Sequence, residues 1–577
     1  MTTDPQGAAA AVPGVLDTDR VRLHELGYAQ ELNRKLGWFS NFAISFSIIS
    51  ILAGAMTTYY LGALAGGPRM ITLGWIIVGF FSLLVGMAMA EIVSVYPTAG
   101  GLYYWSAKLA PEGQGPVWSW FTGWFNLIGQ IGVIASVDYA LAIFTGFFIK
   151  LWVTDFQLTP RTIFAIFVGY LIVHGLLNTF GVNVVRILGD VSVWWHVAGV
   201  LVIVAVLFIA PDNKEGLGFI FESNNATGWT YQGSGPSWLP GLYASLIGLL
   251  LAQYTITGFD ASAHVSEETH DAARSASVAI CRAIYVSAIA ALILNIAMIQ
   301  ATPVGQFNTI ALGSDGFLAN AATVLIQESV GGAGAKLLIL ISIVGQFFCG
   351  MASVTANSRM IYAFSRDGAI PGHRIWHRVN PVTRTPTNSV WLGVVLAGIV
   401  GALSLYQAND YSVAFFAMTG MCVVGLYIAY GIPIYLRLRA RSFQQGVWNL
   451  GKWSKLVGWT AVAWIAFITI LFFSPPFWPF WPPGGNTVFE AGTPDEFTVY
   501  HLSNTNFTGP IILGLGVLIA LWWVLSAHKW FQGPQAQSID EIREIEAQFA
   551  ELEQVEERIR ELEDEEDAIV TEREHGH

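Results

Sequence analysis

Twelve apolar runs of about 20 residues dominate this chain, near 41–64, 70–94, 118–148, 163–180, 187–210, 239–262, 280–301, 335–364, 386–406, 411–436, 454–473 and 508–530. A helix of that length crosses about 30 Å of hydrocarbon, and within lipid only structures that satisfy every backbone N–H and C=O internally persist. The runs therefore predict an all-α integral membrane protein with 12 transmembrane helices. Composition agrees: of 577 residues 54% are hydrophobic and only 12% charged, outside the range of soluble domains.

Charge sets the expected orientation. With the N-terminus placed in the cytoplasm, only Arg69, Lys150, Arg161, Lys214 and Lys336 fall in outer loops, and the other 23 of 28 Lys and Arg fall inside. Both ends are then cytoplasmic. Residues 1–40 form a polar N-terminal segment with no apolar run, so no cleavable signal is expected and the first span is retained. The formal net charge of -12 resides in the tail, where 16 acidic residues from Asp540 onward face 4 arginines. That tail, 538–577, spaces Ile542, Ile545, Phe549, Leu552, Val555, Ile559 and Leu562 as an amphipathic helix, compatible with self-association or with a solvated charged helix.

Several classes of function are excluded. The chain has no GxxxxGK[ST], no HExxH and no GxSxG between a strand and a helix, so neither an ATP-driven pump nor an enzyme is expected. Cys281, Cys349 and Cys422 have no metal-ligand or disulfide spacing. No cofactor, metal or nucleic-acid partner is expected; the partners are a small-molecule substrate, lipid and a coupling ion.

Polar residues inside spans are costly, by about 2.5–3.5 kcal/mol per charge, and so carry information. In the first span, SIISILAGAMTTYY interrupts the apolar run with Ser50, Ala53, Gly54, Thr57 and Thr58; in the sixth, QYTITGFDASA does so with Thr255, Thr257, Gly258 and Asp260. Small residues serve close helix packing. Paired interruptions in corresponding positions of two five-helix halves, 41–210 and 239–436, also mark the broken helices of a transporter's central site. Asp138 lies deep in the third span and His196 about two turns into the fifth, where a neutral, hydrogen-bonded core histidine is the simpler reading. Glu91 and Asp190, near the cytoplasmic ends of their spans, read as hydrated.

Three further stretches carry a family resemblance. HVSEETHDAARSASVAICRAI after span six resembles the EE-x(2)-NA-x-R-x-x-P-x-AI element of the amino acid-polyamine-organocation permease superfamily. SRMIYAFSRDGAIPGHRIWHRVNPVTRTPTNSVWL after span eight resembles its counterpart in the amino acid/choline transporter branch, which includes γ-aminobutyrate and choline permeases, and EIVSVYPTAGGLYYWSAKLAP is similar to the element between spans two and three. Together they extend the resemblance over about 40–530.

The resemblance implies a leucine-transporter-type fold, in which the first ten helices form an inverted five-helix repeat with helices one and six unwound, plus two further helices at 454–530. The break in helix one would fall on Leu52, Ala53 and Gly54, of which only Gly54 keeps the family glycine. In helix six Tyr254 matches the aromatic gate, Thr257 and Gly258 the break, and Asp260 the acidic position below the site, with Phe259 beside them as a cover. His196 replaces a lysine of many relatives, and facing it the resemblance places Ser353 and Thr355 as candidate ligands of an ion site. It implies a plasma-membrane permease for amino acids or organic amines such as γ-aminobutyrate; an imidazole in place of that lysine can bind and release a proton, which favours protons over sodium, and Asp260, His196 and Asp138 are the candidates for gating and coupling. A choline or polyamine permease, and a nutrient sensor signalling through the tail, are the alternatives.

Overall fold

The computed structural model describes residues 18–180, 182–223, 242, 245–315, 317–405, 413–473 and 507–551. Among them are eleven helices long and apolar enough to cross a membrane: Trp38–Ala55, Met70–Val93, Gly115–Lys150, Pro160–Thr179, Asn183–Ile209, Ala272–Ala301, Gly332–Arg366, Thr387–Leu405, Ala414–Arg439, Gly451–Phe473 and Thr508–Leu525. A shorter apolar helix, Ser245–Thr255, stands where the sixth span is expected. Counting it, the spans are numbered one to twelve. The described residues contain no β-strand. The fold is a multi-pass helical membrane protein. The Pro/Trp-rich stretch at 475–482 lies outside the described residues.

Burial orders the helices. Span three has 89% of its apolar window buried and runs between spans eight and ten, whereas span twelve has 22% buried and sits at the rim. Outer helices turn large apolar side chains such as Phe80, Leu201, Ile289 and Leu518 outward, as lipid-facing surfaces require. At 36 and 35 residues, spans three and eight exceed the bilayer core and continue into the face that bears both terminal segments. At that face span eight ends at Arg366, before Asp367 and Gly368, and span three begins with Pro116 in its first turn, where a missing N–H costs nothing.

Glu91 departs from the hydrated end expected of it. It is 2% exposed and accepts hydrogen bonds from Leu450 N–H (2.9 Å) and Ser454 Oγ (2.7 Å), with Arg437 at 2.8 Å. The segment before span eleven folds back over the end of span two, where Trp448 C=O accepts from Ser94 Oγ, and thereby encloses the carboxylate. Asp190 is half-buried and accepts from Ser40 Oγ at 3.2 Å.

The described part of the tail, helical over 539–551, lies against the chain's own N-terminal segment. Gln537 N–H donates to Gly27 C=O and its side chain accepts from Ala29 N–H. Glu546 gathers His24 (2.7 Å), Gln30 N–H (3.0 Å) and Arg20, and Arg384 stacks on Phe549. The apolar positions beyond Phe549 lie outside the described residues.

Candidate functional site

Span one is helical to Ile48, departs at Ile49 (ψ 49°) and Ser50 (ψ 116°), and resumes as a π-helical turn over Ile51–Ala55. The departure comes two residues ahead of 52–54. Its cause is local: Ser50 Oγ accepts from Ala53 N–H at 3.0 Å, and the Ser50 carbonyl accepts from Gly54 N–H at 2.8 Å, so the serine caps the new turn. Gly54 is required there because a Cβ would lie 2.7–2.8 Å from Thr255 of span six.

Span six breaks opposite. Its upper helix ends at Thr255, Ile256 leaves helical geometry (ψ 52°), and the lower half restarts at Ala261. Gly258, at φ +94°, makes the turn, and a Cβ on it would strike Ile48 at 2.4 Å. The lower halves are stitched together by Ser45 Oγ donating to Phe259 C=O (3.0 Å) and Asn41 Nδ2 donating to Ser262 C=O (3.0 Å).

Between the breaks lies a cavity of about 10 Å³ lined by Ala53, Gly54, Tyr254, Thr257, Cys349 and Cys422 among others. That holds at most one water, so the site is closed around itself. Tyr254 spans it and donates to Ser136 Oγ at 2.9 Å. Phe259 does not line the cavity: it is fully buried, its ring 5.0 Å from that of Tyr430. Ser50 also stands behind the wall, bound to His196.

His196 Nδ1 lies 2.8 Å from Ser192 C=O, which can only accept, so Nδ1 carries hydrogen. Nε2 then takes the Ser50 hydroxyl hydrogen at 2.6 Å. Thus the buried imidazole holds the very side chain that caps the break in span one. Ser353 and Thr355 do not face it. Ser353 Oγ donates to Cys349 C=O (2.8 Å) and Thr355 Oγ1 to Asn178 Oδ1 (2.7 Å), because these hydroxyls follow span eight's own turn and span four. Asp138 is paired with His174 Nδ1 of span four at 3.1 Å, both 0% exposed, while its neighbour Val137 lines the cavity.

Below the break, Asp260 is 1% exposed and accepts from Tyr430 OH (2.6 Å) and Gln130 Nε2 (3.0 Å), with His264 Nε2 at 3.2 Å. Further toward the terminal face, Arg359 pairs with Glu268 (3.0 Å) and Arg366 with Glu267 (3.2 Å). Glu267 also accepts from Ala99 N–H at 2.9 Å, and Leu36 bridges to Thr269 as a strand-like pair. The three stretches that carried the family resemblance therefore meet in one closed network. Burial raises the Glu268 carboxyl above its ordinary value, opposed by Arg359. Sequence reading named none of these arginines as site residues, although Arg359 and Arg366, seven apart on one helix, share a face.

At the same face half-buried Asp367 accepts from Tyr103 OH (2.6 Å) and Tyr28 OH (3.1 Å). Burial raises its carboxyl to about 6, opposed by Arg366 and the two tyrosines. An acid raised in the docked state holds its proton more tightly there. Docking of the terminal segments is therefore favoured below the ordinary carboxylate value and weakens as pH rises through about 6. Proteolytic cleavage within residues 18–36 should quicken about tenfold between about pH 5 and about pH 7, and Asp367→Asn should flatten that response.

Comparison with known proteins follows the same lines. The chain matches the amino acid permease family over residues 36–500. It is 39% identical over 539 residues to an Arabidopsis thaliana protein named amino-acid permease BAT1, covering 92% of this chain and 98% of that one. A rice homologue of that permease, from Oryza sativa subsp. japonica, is 38% identical over 91% of this chain and 97% of its own. The GABA-specific permease of Saccharomyces cerevisiae is 30% identical over 531 residues, 91% of this chain and 87% of that one. These relatives are permeases, not enzymes.

Proposed function

This chain belongs to the amino acid permease family, and from that premise we propose that it is a secondary active importer of amino acids or related organic amines such as γ-aminobutyrate, driven by protons through alternating access. The observation that carries this reading is the pair of opposed breaks at Ser50–Gly54 and Ile256–Gly258, enclosing a cavity, with the serine that caps the first break hydrogen-bonded to a histidine. Residues 41–210 and 239–436 are the two inverted halves. The terminal face is cytoplasmic, in keeping with the 23 of 28 basic residues assigned to it, and the membrane is the plasma membrane.

In this mechanism a substrate carboxylate approaches Ala53 N–H, at the positive end of a half-helix. It competes with Ser50 Oγ for Ala53 N–H. Protonating His196 reverses its bond with Ser50: Nε2 becomes the donor, and the Ser50 hydroxyl hydrogen is freed to point at the carboxylate. Proton and substrate thus support one another at one serine. Carbonyls near Tyr254 to Thr257 receive the ammonium, Tyr254 closes over it, and Asp260 relays occupancy to the lower half of span six. Protons are favoured over sodium because the hydroxyls of Ser353 and Thr355 are committed elsewhere. An amino acid is favoured over choline or a polyamine because the cavity's described lining contains no acid, Asp138 being paired with His174.

The test is uptake of labelled γ-aminobutyrate, neutral amino acids, choline and putrescine in a host lacking its own transport. We expect accumulation of γ-aminobutyrate or a neutral amino acid at about tenfold or more over empty vector, the gain that 1.4 kcal/mol of coupling supplies. Accumulation of none of them would refute the substrate assignment, and accumulation of choline or putrescine alone would favour the organic-cation reading.

A further inference from the structure

We propose that Asp260 and His264 form a proton-binding site on the lower half of span six, holding one proton between Oδ2 and Nε2 while the terminal face is closed and releasing it to the aqueous phase when that face opens. The site's role in coupling rests on the proton-driven reading above; the site itself rests on geometry.

His264 is 0% exposed, and its Nδ1 lies 2.9 Å from Ala99 C=O, an acceptor, so Nδ1 carries hydrogen. In a neutral imidazole Nε2 is then a bare lone pair. That lone pair lies 3.2 Å from Asp260 Oδ2. Both oxygens of the carboxylate already serve as acceptors, Oδ1 for Tyr430 and Oδ2 for Gln130. Without a further proton, two lone pairs oppose each other in a dry site. With one, the same distance becomes a charge-assisted hydrogen bond.

Among the described residues the surroundings supply no other cation. Span three offers the amides Asn126 and Gln130, span ten the phenol of Tyr430, and the connection before span three the carbonyl of Ala99. The nearest charged groups on the following turn are Glu267 and Glu268, and their arginines, Arg366 and Arg359, are taken by them. Among the described residues, no lysine or arginine forms an ion pair with Asp260. A buried carboxylate in this position is neutralised by a proton or is left exposed to the full cost of desolvation.

A second observation points to two protonation states. Asn126 Nδ2 lies 3.2 Å from His264 Nε2, while Asn126 Oδ1 is buried with no partner. As placed, the amide N–H serves a bare Nε2; turned over, its oxygen would serve a protonated one. The side chain can meet either state.

His264 also ties the lower half of span six to the same Ala99 whose N–H is held by Glu267. Loss of the proton leaves an unneutralised carboxylate beside the turn at Gly258, and access to water at the terminal face relieves it. Proton release and opening are thereby linked.

Proton uptake by the purified full-length protein in detergent, titrated potentiometrically from about pH 8 to about pH 5, tests the site directly. We expect wild type to take up about one more proton per chain than the near-isosteric Asp260→Asn, whereas His264→Gln, which keeps the carboxylate but loses the partner that shares its proton, should move the step to lower pH. A residue that merely holds the fold would not remove a titration step. Retention of the step in Asp260→Asn, or a step of unchanged position in His264→Gln, overturns the proposal. His196→Gln should leave this step in place. If wild-type transport ignores a protonophore, the proton-driven reading fails while the proton count at Asp260 and His264 still decides the site.

Discussion

Replacing Arg359 by alanine should open the terminal face. Arg359 and Glu268 are 0% and 1% exposed, and the guanidinium reaches both carboxylate oxygens. Removing one member of a buried ion pair leaves the other uncompensated, a cost of about 3–5 kcal/mol. The chain escapes that cost by hydrating Glu268, so the closed state should lose about 100-fold or more in population. Cys349 and Cys422 line the central cavity and report the change. In vesicles exposing the terminal face, their labelling by an impermeant thiol reagent should be slow in wild type and faster by at least about tenfold in Arg359→Ala. Arg359→Lys keeps the charge but not the fork, and should fall between. The pH dependence has a definite sign. Without Arg359 the burial that raises Glu268 is unopposed, so acidification protonates it and should lessen the defect. Unchanged labelling would mean that this pair does not close the face.

Loss of coupling is the expected result of His196→Ala. The substitution removes the acceptor of the Ser50 hydroxyl while leaving Ser50 free to cap the π-helical turn through Ala53 N–H. Substrate can still bind and exchange. Accumulation against a gradient should fall by about 10–100-fold, the range that one charge-assisted hydrogen bond of about 1.5–3 kcal/mol supports, while exchange stays within about threefold. A protonophore should stop wild-type accumulation and have no further effect on the variant. Strict dependence of wild type on sodium, with no response to the protonophore, would assign the coupling to another ion.

Histidine usage illustrates what was legible beforehand. His196 stood out as a titratable group well inside an apolar run, a property of local composition. His264 lies only four residues past Asp260, yet on a straight helix starting near 239 both fall near the water boundary, and neither then requires explanation. The turn at Gly258 changes that. Asp260 and His264 become enclosed by spans three and ten, whose contributions come from positions more than 120 residues away in either direction: 138 for Asn126 and 170 for Tyr430. Phe259 errs the other way. Adjacent to Gly258 in sequence, it was expected over the substrate, but the turn rotates it onto Tyr430.

The amino-acid sequence alone determined the membrane fold, the helical class and the two interruptions. Lipid leaves a chain only the helix or the closed barrel to satisfy its backbone, and apolar runs of about 20 residues select the helix, so length and hydropathy suffice. It determined, through three short stretches, the family resemblance as well. Which acid meets which base was decided only by the tertiary structure. Glu91 and Arg437, Asp138 and His174, Glu268 and Arg359 are separated by 346, 36 and 91 residues. Charges inside a membrane must be paired, but the bilayer imposes only that they be paired, and packing of the helices supplies the partner.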